Sequence, residues 1–171
     1  MIRLPLGGFR VFAPSIGIPQ GLYVPPDKSY RVVPPIGWAV IPGTNDGVEF
    51  RARLAGQGYW PAMFIAKEPA DGSQPREGEI NAIAARDRQG FRFVSGEWMD
   101  LPCGRVYVVI YEHTFRRLRM RTAEAHFVCG GVRYWVPFNA PAASFDRYFP
   151  SYLNCLRSFA PAGPDNGRVY N

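Results

Sequence analysis

The sequence is poor in the residues on which catalytic and metal-binding sites are usually built. It contains two histidines, three cysteines and, among its 20 basic residues, only the lysines Lys28 and Lys67. No apolar run approaches the ~18 residues that a helix needs to cross a bilayer. No short apolar core of a secretory signal is present either. We therefore expect a chain with no transmembrane segment of its own.

The cysteines and histidines do not form a pattern that binds metal. Cys103, Cys129 and Cys155 are an odd set with no CxxC pair, which predicts buried free thiols in a reducing compartment rather than a disulfide framework. His126 and Cys129 are three residues apart, so on a strand they point to opposite faces. Structural zinc also requires four ligands in a defined spacing. We predict no metal and no cofactor.

Catalytic motifs are missing as well. Nucleophilic catalysis requires a serine or cysteine held by a base with an orienting acid, and no nucleophile elbow surrounds any serine. The glycine pairs at 7–8 and 130–131 lack the Lys-Ser/Thr that follows in a phosphate-binding loop. We predict no catalytic residue and a non-enzymatic role. A small enzyme or a lipid-binding protein stays as an alternative.

The residues that are abundant favour a sheet-rich globular domain. The 47% hydrophobic and 15% aromatic content can supply a core for one domain of 171 residues. The 18 glycines and 17 prolines indicate many turns and extended connections. We predict three segments, an extended Pro/Gly-rich N-terminal arm over 1–29, a domain over 30–159 and a C-terminal tail over 160–171.

The arm has no acidic residue before Asp27 and contains five prolines, which would break a helix. Its aromatic side chains are available to pack on another surface, and we interpret Phe9, Phe12 and Tyr23 as candidate contacts to a partner.

Within the domain, short β-type runs come first and a longer antiparallel meander follows. Strands are predicted at 30–33, 38–41, 48–54, 62–67, 91–98, 105–111, 115–121, 124–129 and 132–138, with a modest helix at 77–89. Gly130-Gly131 suits a two-residue hairpin turn. An amphipathic helix with Ser144 as N-cap closes the domain, and Pro150 predicts a break within it. The fold class is therefore α+β.

Two short motifs carry a resemblance to a known family. A strand leads into Pro35-Ile36-Gly37-Trp38, and the closing helix ends in the sequence LNCLRSF at 153–159. Over residues 30–159 the chain resembles the PsbP-like superfamily. This superfamily includes the extrinsic P protein of photosystem II, Mog-type Ran-binding proteins, DcrB-like proteins and Eag-type secretion chaperones. The resemblance implies an antiparallel sheet flanked by helices in an α/β/α sandwich, and roles in binding and assembly.

Arginine gives the chain its basic character and its strongest candidate site. The net charge is +6. Period-two alternation predicts Arg117, Arg119 and Arg121 on one strand face with Arg116 beside them, either as a solvated face or as a contact surface. Acidic protein or anionic lipid headgroups are candidate partners. The lack of an aromatic–basic RNA-recognition motif argues against nucleic acid. Trp60 is a candidate interface anchor.

Together these features predict an accessory subunit of a larger membrane-associated complex that acts through protein–protein contacts. The acid-free N-terminus favours an organelle, with a respiratory or ATP synthase complex peripheral to the mitochondrial inner membrane as the concrete form. The alternatives are a thylakoid protein and a bacterial cytoplasmic Eag-like chaperone that shields apolar effector helices.

Overall fold

The structure is a computed structural model that describes residues 21–42, 47–52, 59–74, 76–86 and 88–161. The predictions for Phe9 and Phe12, for the rest of the arm up to residue 20 and for the tail from residue 162 lie outside these ranges.

The described chain forms nine strands and two helices. Seven strands build one antiparallel sheet in the order β2-β3-β4-β8-β7-β6-β5, and β1 pairs with β9 in a separate two-stranded sheet. The bounds are β1 Tyr30–Arg31, β2 Trp38–Pro42, β3 Val48–Ala52, β4 Ala62–Pro69, α1 Glu77–Ala85, β5 Arg92–Leu101, β6 Gly104–Phe115, β7 Leu118–Cys129, β8 Val132–Pro141, α2 Phe145–Arg157 and β9 Ala160–Pro161.

The two helices cover opposite faces of the large sheet. On β6, Val106 and Val108 belong to the core cluster that contains α2, whereas Tyr107, Val109 and Tyr111 pack against α1. Because successive residues of a strand point to opposite faces, this alternation places one helix on each side. The predicted α+β fold with an α/β/α arrangement is confirmed. We call the two sides the α1 face and the α2 face.

The closing unit agrees with its prediction except at Pro150. Gly130 and Gly131 form the turn between β7 and β8 with φ of 59° and 77°, values that favour glycine. The predicted break in the following helix is wrong, because α2 runs without interruption from Phe145 to Arg157 with Pro150 inside it. Pro150 and Asp146, whose carbonyl loses its hydrogen bond, are both exposed. Water can therefore satisfy that carbonyl.

The residues just before β1 pack on the core of the domain. Tyr23 forms an isolated antiparallel bridge with Val32, and its ring lies edge-on to Phe50 with 5.5 Å between centroids. Lys67 on β4 contacts both Asp27 and Ser29. Tyr23, a predicted partner contact, therefore packs on the α2-side core of its own chain.

Gly96 on β5 permits a close approach that a larger residue would block. A Cβ built at Gly96 would lie 2.7 Å from Cζ of Tyr107, whose ring is buried on β6. We expect Gly96→Ala to lower the free energy of unfolding by about 1–3 kcal/mol, because the ring must shift within a packed core. Urea unfolding followed by circular dichroism measures this change.

Gly78→Ala is the matched control. A Cβ at Gly78 in α1 meets nothing within 4 Å, and alanine favours a helix over glycine by up to about 1 kcal/mol. Equal destabilisation by both substitutions would contradict the packing of Tyr107 over Gly96.

Candidate functional site

The β6–β7 hairpin ends in a turn made of two arginines. Phe115 pairs with Leu118, which leaves Arg116 and Arg117 as the two turn residues with φ of 48° and 67°. The strand predicted across 115–121 is therefore wrong at residues 116–117. Period-two alternation does not detect a turn here because the pair lacks the asparagine and glycine that usually mark one.

The positive φ angles of this turn are energetically unfavourable for two arginines. Positive φ at a residue other than glycine costs about 1–2 kcal/mol, and two-residue hairpin turns of this kind strongly favour Asn-Gly. Strained backbone is found preferentially at functional sites. The turn therefore marks this end of the sheet, which we call the hairpin end, as the candidate site.

The turn also divides the predicted arginine stripe between two surfaces. Arg119 and Arg121 lie on the α2 face, where they pair with Thr114 and Glu112 of β6. Arg116 lines a cavity on the α1 face, and Arg117 is exposed at the tip. Trp60, predicted separately as an anchor, lies in the same cavity as Arg116. The structure thus brings together Arg116 with Trp60, and Arg119 with Arg121.

The cavity on the α1 face is an open groove of about 450 Å³. Five large side chains and the small Ala62 supply its apolar surface, and we call it the aromatic groove: the large ones are Tyr59, Trp60, Phe64, Phe115 and Leu118. Trp60 and Leu118 are 36% and 38% exposed, so large apolar side chains of the groove face water. Sequence reasoning found only Trp60 of this set, because the groove joins β4 to a hairpin more than 50 residues away.

Charged residues border the groove on two sides. Arg51 donates to Glu49 at 2.5 Å, and burial raises the pKa of Glu49 although Arg51 opposes the shift. On the other side, the Arg116 guanidinium lies 5.4 Å from the ring centroid of Phe115. With Glu49 already paired, Arg116 forms no ion pair with any residue that the structure describes, and it adds a positive charge at the rim.

On the α2 face, the hairpin end carries three arginines around one carboxylate, which we call the arginine cluster. Glu112 Oε2 accepts from Arg92 Nη2 at 2.7 Å and from Arg119 Nε at 2.9 Å. Glu112 Oε1 accepts from Arg121 Nη2 at 2.8 Å. Arg121 Nη1 also donates to Asp146 at the start of α2, at 3.2 Å.

The arginines keep Glu112 ionised. Hydrogen bonds from Arg92, and then from Arg121 and Arg119, lower the pKa of Glu112 to about 2 against the opposing effect of burial. The Glu112 side chain is only 4% exposed because the arginines cover it, whereas Arg92 and Arg119 are 60% and 66% exposed. Sequence reasoning missed Arg92 and Glu112, although an acidic residue that ends an apolar β-run was an available signal.

A second carboxylate is buried on the α1 face. Glu124 is 1% exposed and accepts hydrogen bonds from Tyr111 Oη at 2.5 Å and Arg88 Nη2 at 2.9 Å, with His126 Nε2 at 3.3 Å. Burial acts to raise the pKa of Glu124, but its interactions with His126 and Arg88 lower it overall. Arg88 follows α1, so this network ties that helix region to the sheet.

The described thiols are not poised as nucleophiles. Cys103, Cys129 and Cys155 are free thiols, which agrees with the prediction from their odd number and the lack of a CxxC pair. Burial, together with neighbouring Cys129, raises the pKa of Cys103 to about 12. Because the thiolate is the reactive form, such a thiol is inert at neutral pH. His126 and Cys129 lie on opposite faces of β7, as expected.

Comparison with solved structures identifies the architecture. Cyanobacterial PsbP (CyanoP) from Synechocystis sp. PCC 6803 superposes with a TM-score of 0.59 at 15% identity, over 92% of this chain and 99% of that one. The chain has the PsbP-like fold. LpqN, involved in cell envelope biogenesis of Mycobacterium tuberculosis, gives a TM-score of 0.59 at 11% identity, over 82% of this chain and 89% of that one.

A third structure with the PsbP-like fold is a protein of unknown function, PA94, from Pseudomonas aeruginosa. Its TM-score is 0.58 at 11% identity, over 81% of this chain and 94% of that one. No protein-family model matches the sequence, and no curated protein matches it significantly. At these identities the similarity establishes the fold alone.

The part of the chain that the structure describes holds neither a membrane-spanning helix nor a metal-binding cluster. Neither described helix is long and apolar enough to cross a membrane. No group of three or more His, Cys, Asp or Glu residues in these ranges is arranged to hold a metal ion.

The strain in the turn can be tested by giving it the residues that its backbone favours. We expect the double substitution Arg116→Asn and Arg117→Gly to raise the free energy of unfolding by about 1 kcal/mol or more, because Asn-Gly adopts positive φ at lower cost. Urea unfolding measures the gain.

Arg105→Asn removes an arginine that is 69% exposed at the opposite end of β6 and is the control, with an expected change within about 0.5 kcal/mol. A double variant no more stable than the wild type would show that the turn is not strained.

The arginine cluster predicts a pH-dependent contribution to stability. We expect Glu112→Gln to lower the free energy of unfolding at pH 7 by about 1 kcal/mol, since the exposed arginines are screened by water. The folded-state pKa of Glu112 is lowered from 4.5 to about 2. The wild type's advantage should therefore be complete above pH 4.5 and disappear as the pH falls through about 2.

Urea unfolding of both proteins between pH 7 and pH 2 measures this advantage. Glu97→Gln, which removes an exposed carboxylate from the same face of β5, is the charge control. An advantage of wild type over Glu112→Gln that stays constant down to pH 2 would overturn the assignment.

Proposed function

We propose that this protein is a non-enzymatic accessory subunit that binds another protein through the aromatic groove. The observation that carries the proposal is the exposure of Trp60 and Leu118 in a concave surface bordered by a strained turn. Tryptophan is enriched at the energetic centres of protein interfaces, where it fills pockets that exclude water.

The side chains that line the groove indicate which kind of partner segment it can bind. Its apolar floor of aromatic rings favours an apolar or aromatic anchor of the partner. Arg116 at the rim adds a positive charge, which an acidic residue next to that anchor would complement. An apolar segment flanked by a carboxylate is therefore the expected ligand.

We further propose that the protein and its partner belong to a larger membrane-associated complex. The PsbP-like fold, shared with CyanoP and with LpqN, a protein involved in mycobacterial cell envelope biogenesis, supports a role in assembly. Membership of a respiratory or ATP synthase complex at the mitochondrial inner membrane is still only a prediction, made from the charge pattern of the N-terminal segment. A location in the thylakoid is the alternative.

An Eag-like chaperone is a second candidate, and the aromatic groove is the observation that favours it. A surface lined by aromatic rings and Leu118 suits an apolar helix of a client protein. Such a chaperone would exist as a free dimer in the bacterial cytoplasm. Size-exclusion chromatography with light scattering separates it from a subunit that is recovered only in a large assembly.

Two exposed tryptophans on the same face allow a matched test of the groove. Trp60 and Trp98 are 36% and 40% exposed, and Trp98 lies at the opposite end of the α1 face, opposite Tyr107 of β6. We expect Trp60→Ala to weaken binding of the partner by about 2 kcal/mol or more, because truncating a central tryptophan has this effect at protein interfaces.

The experiment purifies the tagged wild type, Trp60→Ala and Trp98→Ala from the native source and quantifies the co-purifying proteins. The affinity of the recovered partner for each purified variant is then measured by calorimetry. Loss with Trp60→Ala and retention with Trp98→Ala supports the proposal. Equal affinity for all three chains, or no stoichiometric partner, would contradict it.

A further inference from the structure

The arginine cluster on the α2 face holds more positive charge than its own carboxylates neutralise. Three guanidinium groups, those of Arg92, Arg119 and Arg121, surround the single carboxylate of Glu112. Asp146 binds Arg121 and offsets part of the excess. The three guanidinium groups and the two carboxylates together leave one net positive charge. If only Glu112 is counted against the three arginines, two net positive charges remain.

Hydrogen-bond donors are also left over. A guanidinium has five N–H donors in a planar fork. Among the described residues, Arg92 gives one hydrogen bond to Glu112, through Nη2, and Arg119 gives two, through Nε and Nη2. The side chains of Arg92 and Arg119 are 60% and 66% exposed, so a ligand in solvent can reach the N–H groups that Glu112 does not use.

The arginine side chains line an open depression on the α2 face. A cavity of about 460 Å³ lies between the arginines and the chain that leads into α2. Besides the charged residues, its walls are formed by the small or apolar side chains of Leu118, Pro141, Ala142 and Ala143. Among the described residues that line the cavity, Glu112 alone is acidic, and the arginines already cover it.

Glu112 makes this arrangement rigid. Ordering a long arginine side chain on binding normally costs side-chain entropy. Here the buried carboxylate holds forks from two different strands, β5 and β7, before any ligand arrives. A surface arginine that only solvates the sheet would lack such an anchor.

From this geometry we propose that the arginine cluster binds a phosphate group, with Arg92 and Arg119 as the ligand-contacting residues and Glu112 as their positioning residue. The free donors belong to two forks on different strands, and the several oxygens of a tetrahedral phosphate can accept from both at once. A carboxylate has two oxygens and matches a single fork. The charge of a phosphate also offsets the excess at the cluster.

The ligand-contacting arginines of this site are not part of the aromatic groove, and Leu118, which lines both cavities, donates no hydrogen bond to a phosphate. The groove lies on the α1 face and the arginine cluster on the α2 face, with the β6–β7 hairpin between them. Failure of phosphate binding would therefore leave the proposed protein contact intact.

The test titrates the folded chain with inorganic phosphate at constant ionic strength and follows the Nε–H resonances of its arginines by NMR. We expect saturable shifts at Arg92 and Arg119. Arg92→Gln and Arg119→Gln should each weaken binding about ten-fold, because each loses charge-assisted hydrogen bonds. Arg105→Gln, which removes an equally exposed arginine at the other end of β6, should stay within about two-fold.

Arg119→Lys keeps the charge but removes the fork, and it should weaken binding nearly as much as Arg119→Gln. Circular dichroism confirms that each variant is folded. Non-saturable shifts, equal effects of the Arg105 and Arg119 substitutions, full retention by Arg119→Lys, or equal binding of acetate would each overturn the proposal.

A second arm identifies the source of the phosphate. The chain is sedimented with phosphatidylcholine vesicles that contain phosphatidic acid, whose headgroup is a phosphate monoester. Cosedimentation that Arg119→Gln abolishes supports the site and assigns it to a lipid headgroup. Saturable binding of inorganic phosphate without cosedimentation supports the site and assigns it to a soluble phosphorylated molecule.

Discussion

The pairing of β6 with β7 is the interaction on which the rest of the structure depends. These strands join the centre of the sheet to its β5 edge, and each supplies one buried carboxylate to an opposite face. Glu124 faces α1 and holds Arg88, whereas Glu112 faces α2 and holds three arginines. Because a buried carboxylate without partners is costly, both clusters fix the register of the pair.

The same pairing explains why the hairpin end can serve as a binding surface. Strand pairing up to Phe115 and Leu118 forces residues 116 and 117 into a two-residue turn, although neither is suited to it. The turn separates the aromatic groove from the arginine cluster and supplies a side chain to the rim of the groove. The strained turn therefore lies where the apolar groove of the α1 face meets the charged cluster of the α2 face.

Sequence patterns predicted the fold better than the site. Alternation, the Gly130-Gly131 turn and the apolar spacing of the closing helix describe local structure, and they placed most elements correctly. The continuity of α2 at Pro150 depends on which side of the helix faces water, which spacing alone did not resolve. The Arg116-Arg117 turn depends on pairing between distant strands, and the groove on contacts between Trp60 and the hairpin, so neither has a local signal.

Hydrogen–deuterium exchange of the chain alone and bound to its purified partner tests most directly whether the hairpin end is the interface. We expect binding to protect the backbone amides of residues 59–64 and 115–121. We expect no change at residues 98–105, at the opposite end of the same face. Protection confined to residues 98–105, or its absence from both hairpin-end segments, would show that the hairpin end is not the interface.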